Sequence, residues 1–250
     1  MGYLSAMSRL PYLRRDQLSP EGQQLWDNLV SGRGEQLVGE HGGLVGPFNA
    51  FVSAADTGKY LSSLGAKVRF GTSIERRLSE IAIITVGARW QAEFEWWAHA
   101  AMAREHGVSD AAVDAIARGE DPGFTSADER AIYQAAYQLS HTGRLGKDAY
   151  DAAHRFLGDA GMVELVSLCG YYTLISFLLN AFDVPLPPGA SPVWKSRLSD
   201  PALDVRHLSG ERLEPDAVVQ PSRGRVPRRA EARHEHPLRP GVPYRAHPVQ

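Results

Sequence analysis

The chain has 250 residues, of which 43% are hydrophobic and 22% are charged, and its formal net charge is −2. This composition is ordinary for a soluble globular protein, with room for one large domain or two small ones. The small charge argues neither for nor against a nucleic-acid partner. A single cysteine excludes an internal disulfide bond, and residues 1–17 contain no apolar secretory segment. We therefore expect a cytoplasmic protein.

The N-terminal part of the chain predicts an arm, one helix and a loop. Residues 1–17 form the arm. Ser19 and Pro20 mark the start of a helix that runs to about Val30, because serine caps a helix and proline fits its first turn. Residues 31–47 are rich in glycine and predict a loop. The loop has neither a strand-linked GxGxxG pattern nor a Walker lysine, so it does not predict a phosphate site.

From residue 48 onward the chain predicts helices alone. Two central helices run from Thr72 and from about Ala92 to Gly107, and Thr72 with Glu75 has the spacing of a capping box. The other predicted helices cover 48–55, 57–70, 109–117, 126–141, 147–157 and 161–182. Asp56 and Ser109 are the expected caps of two of them, and a second capping box of Ser126 and Glu129 begins a third. No alternating pattern predicts a strand, so the expected fold class is an all-α array of helices.

The segment 165–182 carries no charged side chain over eighteen residues, which is close to the length of a membrane span. It contains several polar residues and is flanked by Glu164 and Asp183. A helix that is apolar on most faces is also what the centre of an oligomeric bundle requires. We expect a buried core helix and no membrane partner.

The last part of the chain, residues 199–250, differs in composition. Residues 201–250 hold eight of the sixteen prolines and nine arginines, with Tyr244 as their one aromatic residue. Such a segment has too little apolar surface to offset the entropy lost on ordering. We expect a disordered tail that does not bind nucleic acid, because basic tails bind weakly without aromatic residues or a fold.

Glu95 and His99 are the first candidates for a site. They lie four residues apart on the second central helix, so their side chains share one face. Trp96, Trp97 and several alanines surround them, which predicts a partly dry pocket. An imidazole takes and gives protons near neutral pH, and a neighbouring carboxylate can fix its tautomer.

One pattern joins these residues to an earlier acid: Glu80 is followed fifteen residues later by Glu95, then by His99 and by a Gly-Val-Ser turn at 107–109. This pattern resembles the carboxymuconolactone decarboxylase and alkyl hydroperoxidase D (AhpD-like) superfamily. The peroxidase branch carries Cys-x-x-Cys-x-x-x-His, and its two cysteine positions fall here on Ala92 and Glu95. The decarboxylase branch, which carries a Glu-Phe-x-x-His-like run, is the more similar. The resemblance covers about 18–187. It implies a helical domain over 18–198 that forms homo-oligomers, as trimers or hexamers.

The resemblance also implies a function, a cofactor-free decarboxylase in aromatic catabolism. His99 would be the acid and base, Glu95 would orient it, and Glu80 from the facing helix would be a second carboxylate. The small-molecule substrate would be a lactone or an activated carboxylate that accepts its own electrons, so no cofactor and no metal are expected. Four aromatic residues are candidates for an apolar pocket wall: Phe48, Trp96, Trp97 and Tyr172.

Other interpretations stay open. A peroxidase of the same superfamily would need a reactive thiol, and the only cysteine is Cys169. A non-catalytic oligomer that binds a ligand would use the same fold, and carboxylates with an imidazole could also hold a divalent metal. Each residue has a structural interpretation as well: Glu95 and His99 as a surface helix contact, Glu80 as a solvated residue, and the tryptophans as core or subunit contacts.

Overall fold

The structure is a computed structural model, and it describes residues 8–194. The predicted tail, 199–250, and the first seven residues of the predicted arm lie outside this range. The all-α prediction is confirmed, since the described residues pair in extended form only at the single bridge between Val38 and Leu44. The α-helices are α1 (Pro20–Arg33), α2 (Phe48–Ser53), α3 (Ala55–Phe70), α4 (Arg76–Trp90), α5 (Glu93–Glu105), α6 (Asp110–Arg118), α7 (Ala127–Thr142) and α8 (Lys147–Ala181). Short 3-10 turns occur at Arg15–Gln17 and Glu35–Leu37.

Two predicted helix caps form as expected. The Ser19 hydroxyl accepts the backbone N–H of Gly22 at 3.2 Å, and Pro20 follows it as the first residue of α1. The Ser109 hydroxyl accepts the N–H of Ala112 at 3.2 Å and starts α6. Each serine therefore satisfies a backbone donor that the first turn leaves unpaired.

The capping box predicted at Thr72 and Glu75 is wrong. Helix α4 begins four residues later, at Arg76, and Glu75 occupies its N-cap position without a side-chain cap bond. The segment before α4 is held instead by a distant carboxylate, because the backbone N–H and hydroxyl of Ser73 donate to Glu164 Oε2 at 2.8 and 2.7 Å. Glu75 itself lies 3.4 Å from the guanidinium of Arg77.

The second predicted box is wrong as well, although its helix starts where expected. Ser126 is the N-cap of α7, but its hydroxyl donates to Asp128 and accepts no backbone N–H of the first turn. Glu129 lies 2.5 Å from Arg77 Nη1 on α4, so it cannot reach back to the cap. The predicted break at Asp56 moves to Ala54, which has φ −131° and precedes α3.

Two predicted helices, 147–157 and 161–182, are the two arms of α8. They join across Gly158, whose φ of 63° and ψ of −176° bend the helix. Glycine reaches this region without the clash that a side chain would cause.

Helix α4 is the centre of the fold. Every residue from 78 to 87 is buried, and α4 contacts α5, α6, α7 and α8. One hydrophobic cluster surrounds α4, and a second joins α1, α2 and the C-terminal end of α8. The described part of the arm packs on the same end of α8, where the Arg9 N–H donates to Phe182 O at 2.8 Å. A helix buried on all sides is the position where an ionisable side chain is least expected.

The prediction that the last helix is buried on most faces is only partly correct. One face of α8 packs into the core, through Leu165, Leu168, Cys169 and Tyr172. Helical spacing places a second set of apolar residues on one exposed stripe: Val163, Val166, Leu174 and Phe177, which are 37–68% exposed. By length and composition alone α8 could cross a membrane, and 44% of its most apolar window is buried. We call Val163, Val166, Leu174 and Phe177 the α8 stripe.

Candidate active site

Glu80 lies inside the core, in the first half of α4, and its side chain is fully buried. Arg76, one turn earlier on the same helix, places Nη2 2.7 Å from Glu80 Oε1. The two groups form an ion pair without an aligned hydrogen bond at that oxygen. Nη1 of Arg76 donates to the backbone carbonyl of Arg69 at 2.7 Å, which fixes the guanidinium at the end of α3.

His99 and Glu95 come from α5, and the structure brings both to Glu80. Nδ1 of His99 lies 2.7 Å from Glu80 Oε2, and Nε2 lies 3.0 Å from Glu95 Oε1. The imidazole is therefore between two carboxylates, one on its own helix and one on α4. His99 and Glu95 are each 4% exposed, so all three side chains lie below the protein surface.

The charges of this cluster stabilise one another. Burial alone would lower the pKa of His99, but the charges of Glu95 and Glu80 and the hydrogen bonds to both raise it above 6.5. Burial alone would raise the pKa of Glu80, yet the hydrogen bond and charge of His99 hold it below 4.5. The positive charges of Arg76 and Arg69 act on Glu80 in the same direction. These interactions favour the protonated ring, whose Nδ1–H points to Glu80 and whose Nε2 lies 3.0 Å from Glu95 Oε1.

Arginines that sequence reasoning did not identify lie around this cluster. Arg69, at the end of α3, donates from Nη2 to the Met102 sulfur at 2.7 Å, and its Nε is buried without a hydrogen-bond partner among residues 8–194. Arg33, the last residue of α1, lies over the ring of Phe48 at 4.9 Å. Burial and the neighbouring charge of Arg69 lower the pKa of Arg33. Arg76 could have been found from its i, i+4 spacing to Glu80, but Arg33 and Arg69 come from distant helices and give no local signal.

Of the four aromatic candidates, Tyr172 is the one in contact with the imidazole. Its ring is edge-on to His99 at 5.0 Å between centroids, and it is 4% exposed. Trp96 is buried but packs on Trp194 at 5.2 Å. Trp97 is 46% exposed and contacts Phe94. Phe48 belongs to the second hydrophobic cluster and meets the site through Arg33.

Neighbouring Tyr171, which the sequence did not single out, lies between the cluster and α3. A Cβ placed on Gly65 would clash with the Tyr171 hydroxyl, so α3 and α8 meet here in close contact. Burial and the charge of Glu95 raise the pKa of Tyr171, while Arg33 and Arg69 oppose that shift. The tyrosine is therefore a neutral hydroxyl between the carboxylate and the arginines.

The geometry does not favour one metal ion bound by all three residues. Glu80 and Glu95 lie on opposite edges of the imidazole ring, so their oxygens do not converge with a ring nitrogen on one point. Within residues 8–194, no group of three His, Cys, Asp or Glu side chains has an arrangement suited to a metal.

Cys169 lies on the buried face of α8, and it is the only cysteine of the chain. Burial raises the pKa of its thiol to about 12. At neutral pH it is therefore a thiol, whereas nucleophilic cysteine chemistry needs the thiolate.

The fold has counterparts among solved structures. A peroxidase-related protein with an alkylhydroperoxidase AhpD core from Ralstonia eutropha JMP134 aligns with TM-score 0.58 and 13% identity, over 72% of this chain and 93% of its own. A peroxidase-related protein from Silicibacter sp. TM1040 aligns with TM-score 0.58 and 11% identity, over 76% and 96%. The debrominase Bmp8, as a cysteine-to-alanine variant in complex with 2,3,4-tribromopyrrole, aligns with TM-score 0.55 and 16% identity, over 75% and 94%.

Comparisons of sequence add nothing to this. No protein-family model matches the chain, and a search of curated proteins found no match. At these identities the likeness concerns the fold, and the roles of Glu80, Glu95 and His99 stay predictions. The resemblance seen in the sequence is confirmed at that level: the chain has the all-α fold of the AhpD-like proteins.

Proposed function

We propose that the protein is a cofactor-independent enzyme of the carboxymuconolactone decarboxylase type, which acts on a lactone or another activated carboxylate. One observation carries the proposal: a buried imidazole has a carboxylate at hydrogen-bond distance from each of its two nitrogens. Burying ionised groups costs free energy, and perturbed clusters of this kind concentrate at functional sites.

The two carboxylates differ in how firmly their side chains are held. Glu80 is held at both oxygens, by Arg76 and by His99, so it fixes the ring and balances its charge. Glu95 meets the ring through one oxygen at the longer distance of 3.0 Å. We therefore place proton transfer at the edge formed by Nε2 of His99 and Glu95, and we propose Glu80, in place of Glu95, as the positioning residue.

The reaction needs one proton and no external electrons. The bond between the substrate carbon and its carboxylate breaks, CO₂ leaves, and the electron pair moves into the conjugated carbonyl as an enolate. The imidazolium then gives its Nε2 proton through Glu95 to the carbon, the enolate becomes a carbonyl again, and water restores the proton on His99. A buried site strengthens such transfers because it keeps the charges out of bulk solvent.

The arginines support an anionic substrate. Arg69 has a buried Nε without a partner in the described chain, and the Arg33 guanidinium lies over the Phe48 ring. Planar guanidinium groups bind carboxylates through two parallel hydrogen bonds. They could hold a second carboxylate of the substrate or the enolate oxygen.

A thiol peroxidase is the runner-up, because two of the structural counterparts are peroxidase-related proteins. Cys169 does not favour this function, because its thiol is buried and has a pKa raised to about 12. A non-catalytic oligomer that binds a ligand remains the third proposal.

The experiment follows CO₂ release from γ-carboxy lactones and β-keto acids. We expect His99→Gln to reduce kcat by about 10²- to 10⁴-fold, the usual contribution of a general acid or base. His154→Gln, at a histidine paired with exposed Asp159, and Cys169→Ser should keep wild-type rates. Wild-type turnover in His99→Gln would refute the relay. Hydroperoxide reduction that disappears in Cys169→Ser would favour the peroxidase, and a retained ligand without turnover would favour the binding protein.

A further inference from the structure

A cavity lies on the far side of α4 from the relay. Its volume is about 510 Å³, which falls within the range of about 300–1,000 Å³ of small-molecule sites. Helices α4, α6 and α7 form its walls together with the segment that follows α8. The lining residues that carry the argument below are Arg89, Arg118, Tyr133, Tyr137, His141 and Trp194.

The cavity and the relay are separate sites. None of the lining residues is Glu80, Glu95 or His99. Arg89 follows Glu80 by nine residues on α4, which at 100° per residue is half a turn away, and roughly 13–14 Å along the axis. The two side chains therefore leave opposite faces of one helix.

The charged side chains that line the cavity are both arginines. Arg89 and Arg118 both line it, and no aspartate or glutamate within residues 8–194 does. Arg118 is at an exposed position and already pairs with Glu120 at 2.8 Å. Arg89 differs, because it lies over the Trp90 ring at 4.8 Å and its Nε is buried without a hydrogen-bond partner in the described part of the chain. A buried donor without a partner costs free energy that an anionic ligand would recover.

The remaining wall is aromatic and fixed. The His141 ring stacks on Tyr137 at 3.9 Å, and Nδ1 of His141 donates to the Tyr137 carbonyl at 2.8 Å. The indole N–H of Trp194 donates to Ala117 O at 2.9 Å, and its backbone N–H donates to Glu93 at 2.7 Å. These contacts hold flat rings at the cavity before any ligand arrives, and such preorganisation favours binding.

We propose that this cavity binds an aromatic carboxylate, with the carboxylate on the guanidinium of Arg89 and the ring against Tyr133, Tyr137 and Trp194. The fork of an arginine matches a carboxylate, and the rings provide flat apolar surface. This inference goes beyond the proposed function and does not rest on it, because the relay takes no part in the binding.

The test is titration calorimetry of the full chain with naphthoate and with its neutral analogue naphthylmethanol. We expect naphthoate to bind about tenfold more tightly or better, because a hydrogen bond to a charged partner is worth at least that factor. Arg89→Met should bring the two affinities within about twofold of each other. The matched control is Arg155→Met, at an exposed arginine of α8 that does not line the cavity.

His99→Gln separates this inference from the proposed function. It should leave naphthoate binding unchanged even though we expect it to reduce kcat strongly. Three results would overturn the proposal: equal affinities of both compounds for the wild type, no heat with either, or loss of naphthoate binding in His99→Gln. The first two results are obtained with the wild type alone, so the proposal can be refuted even if Arg89→Met does not fold.

Discussion

Replacing His99 by glutamine should change how stability depends on pH. Burial would lower the native pKa of His99, but the charges of Glu95 and Glu80 outweigh it and raise this pKa above 6.5. A raised pKa adds stability that is complete below pH 6.5 and is lost as the pH rises through the native pKa. Glu80 has a lowered pKa, so its contribution is present above pH 4.5 and is lost in acid. The cluster therefore stabilises the fold most between pH 4.5 and 6.5.

The slope follows from the proton count. As the pH rises from 6.5 toward the raised native pKa, the native histidine keeps more of its proton than the unfolded one does. A difference of one full proton, the upper limit, lowers the free energy of unfolding by about 1.4 kcal/mol per pH unit. For a chain of this size that corresponds to about 3–5 °C in Tm per pH unit. The decline ends when the pH passes the native pKa.

Urea unfolding measured from pH 6 upward gives this slope directly. The variant will be less stable at the start of this range, because Glu80 and Glu95 both lose the imidazole of His99. The informative quantity is the difference in slope between the two proteins, since all other groups titrate in both. His154→Gln is the control for the same substitution at a histidine that is 39% exposed. If His99→Gln keeps the wild-type slope, His99 is not an imidazolium in the native protein.

Two further predictions concern packing and assembly. Gly65→Ala should lower the free energy of unfolding by about 1–3 kcal/mol in a urea titration, because its Cβ would meet the Tyr171 hydroxyl. Gly32→Ala is the control: its Cβ meets no described atom within 4 Å, so the change should be neutral or slightly stabilising. The homo-oligomer stays a proposal, and the α8 stripe is the surface that a second copy would cover. Sedimentation velocity should show an oligomer that dissociates in Val166→Glu; a monomeric wild type, or an unchanged oligomer in the variant, would contradict it.

The helices were predictable because their signals are local. Ser19 and Ser109 cap helices from within a few residues, and the i, i+4 spacing of Glu95 and His99 places both on one face without tertiary information. Glu80 lies nineteen residues before His99, and only the family pattern brought it into the site.

The errors have a common physical cause, which is competition from other partners. Both glutamates of the predicted capping boxes pair with Arg77 instead: Glu75 at 3.4 Å and Glu129 at 2.5 Å. Glu164 binds Ser73 across 91 residues, next to the first predicted box. Arg33 and Arg69 reach the site from α1 and α3 by the packing of those helices. A local sequence pattern indicates which contacts a side chain can make, and the tertiary fold determines which of these contacts forms.

The position of the cluster is itself an argument for chemistry. Glu80, His99, Glu95 and Arg76 together carry zero net charge when each is ionised, so the core tolerates them as a set. Buried ion clusters of this kind rarely stabilise a fold more than well-packed apolar side chains of the same size. At the centre of α4, where every neighbour from 78 to 87 is buried, leucines would satisfy packing at lower cost. What leucines could not do is hold a mobile proton between two carboxylates, and that ability is what the proposed reaction requires.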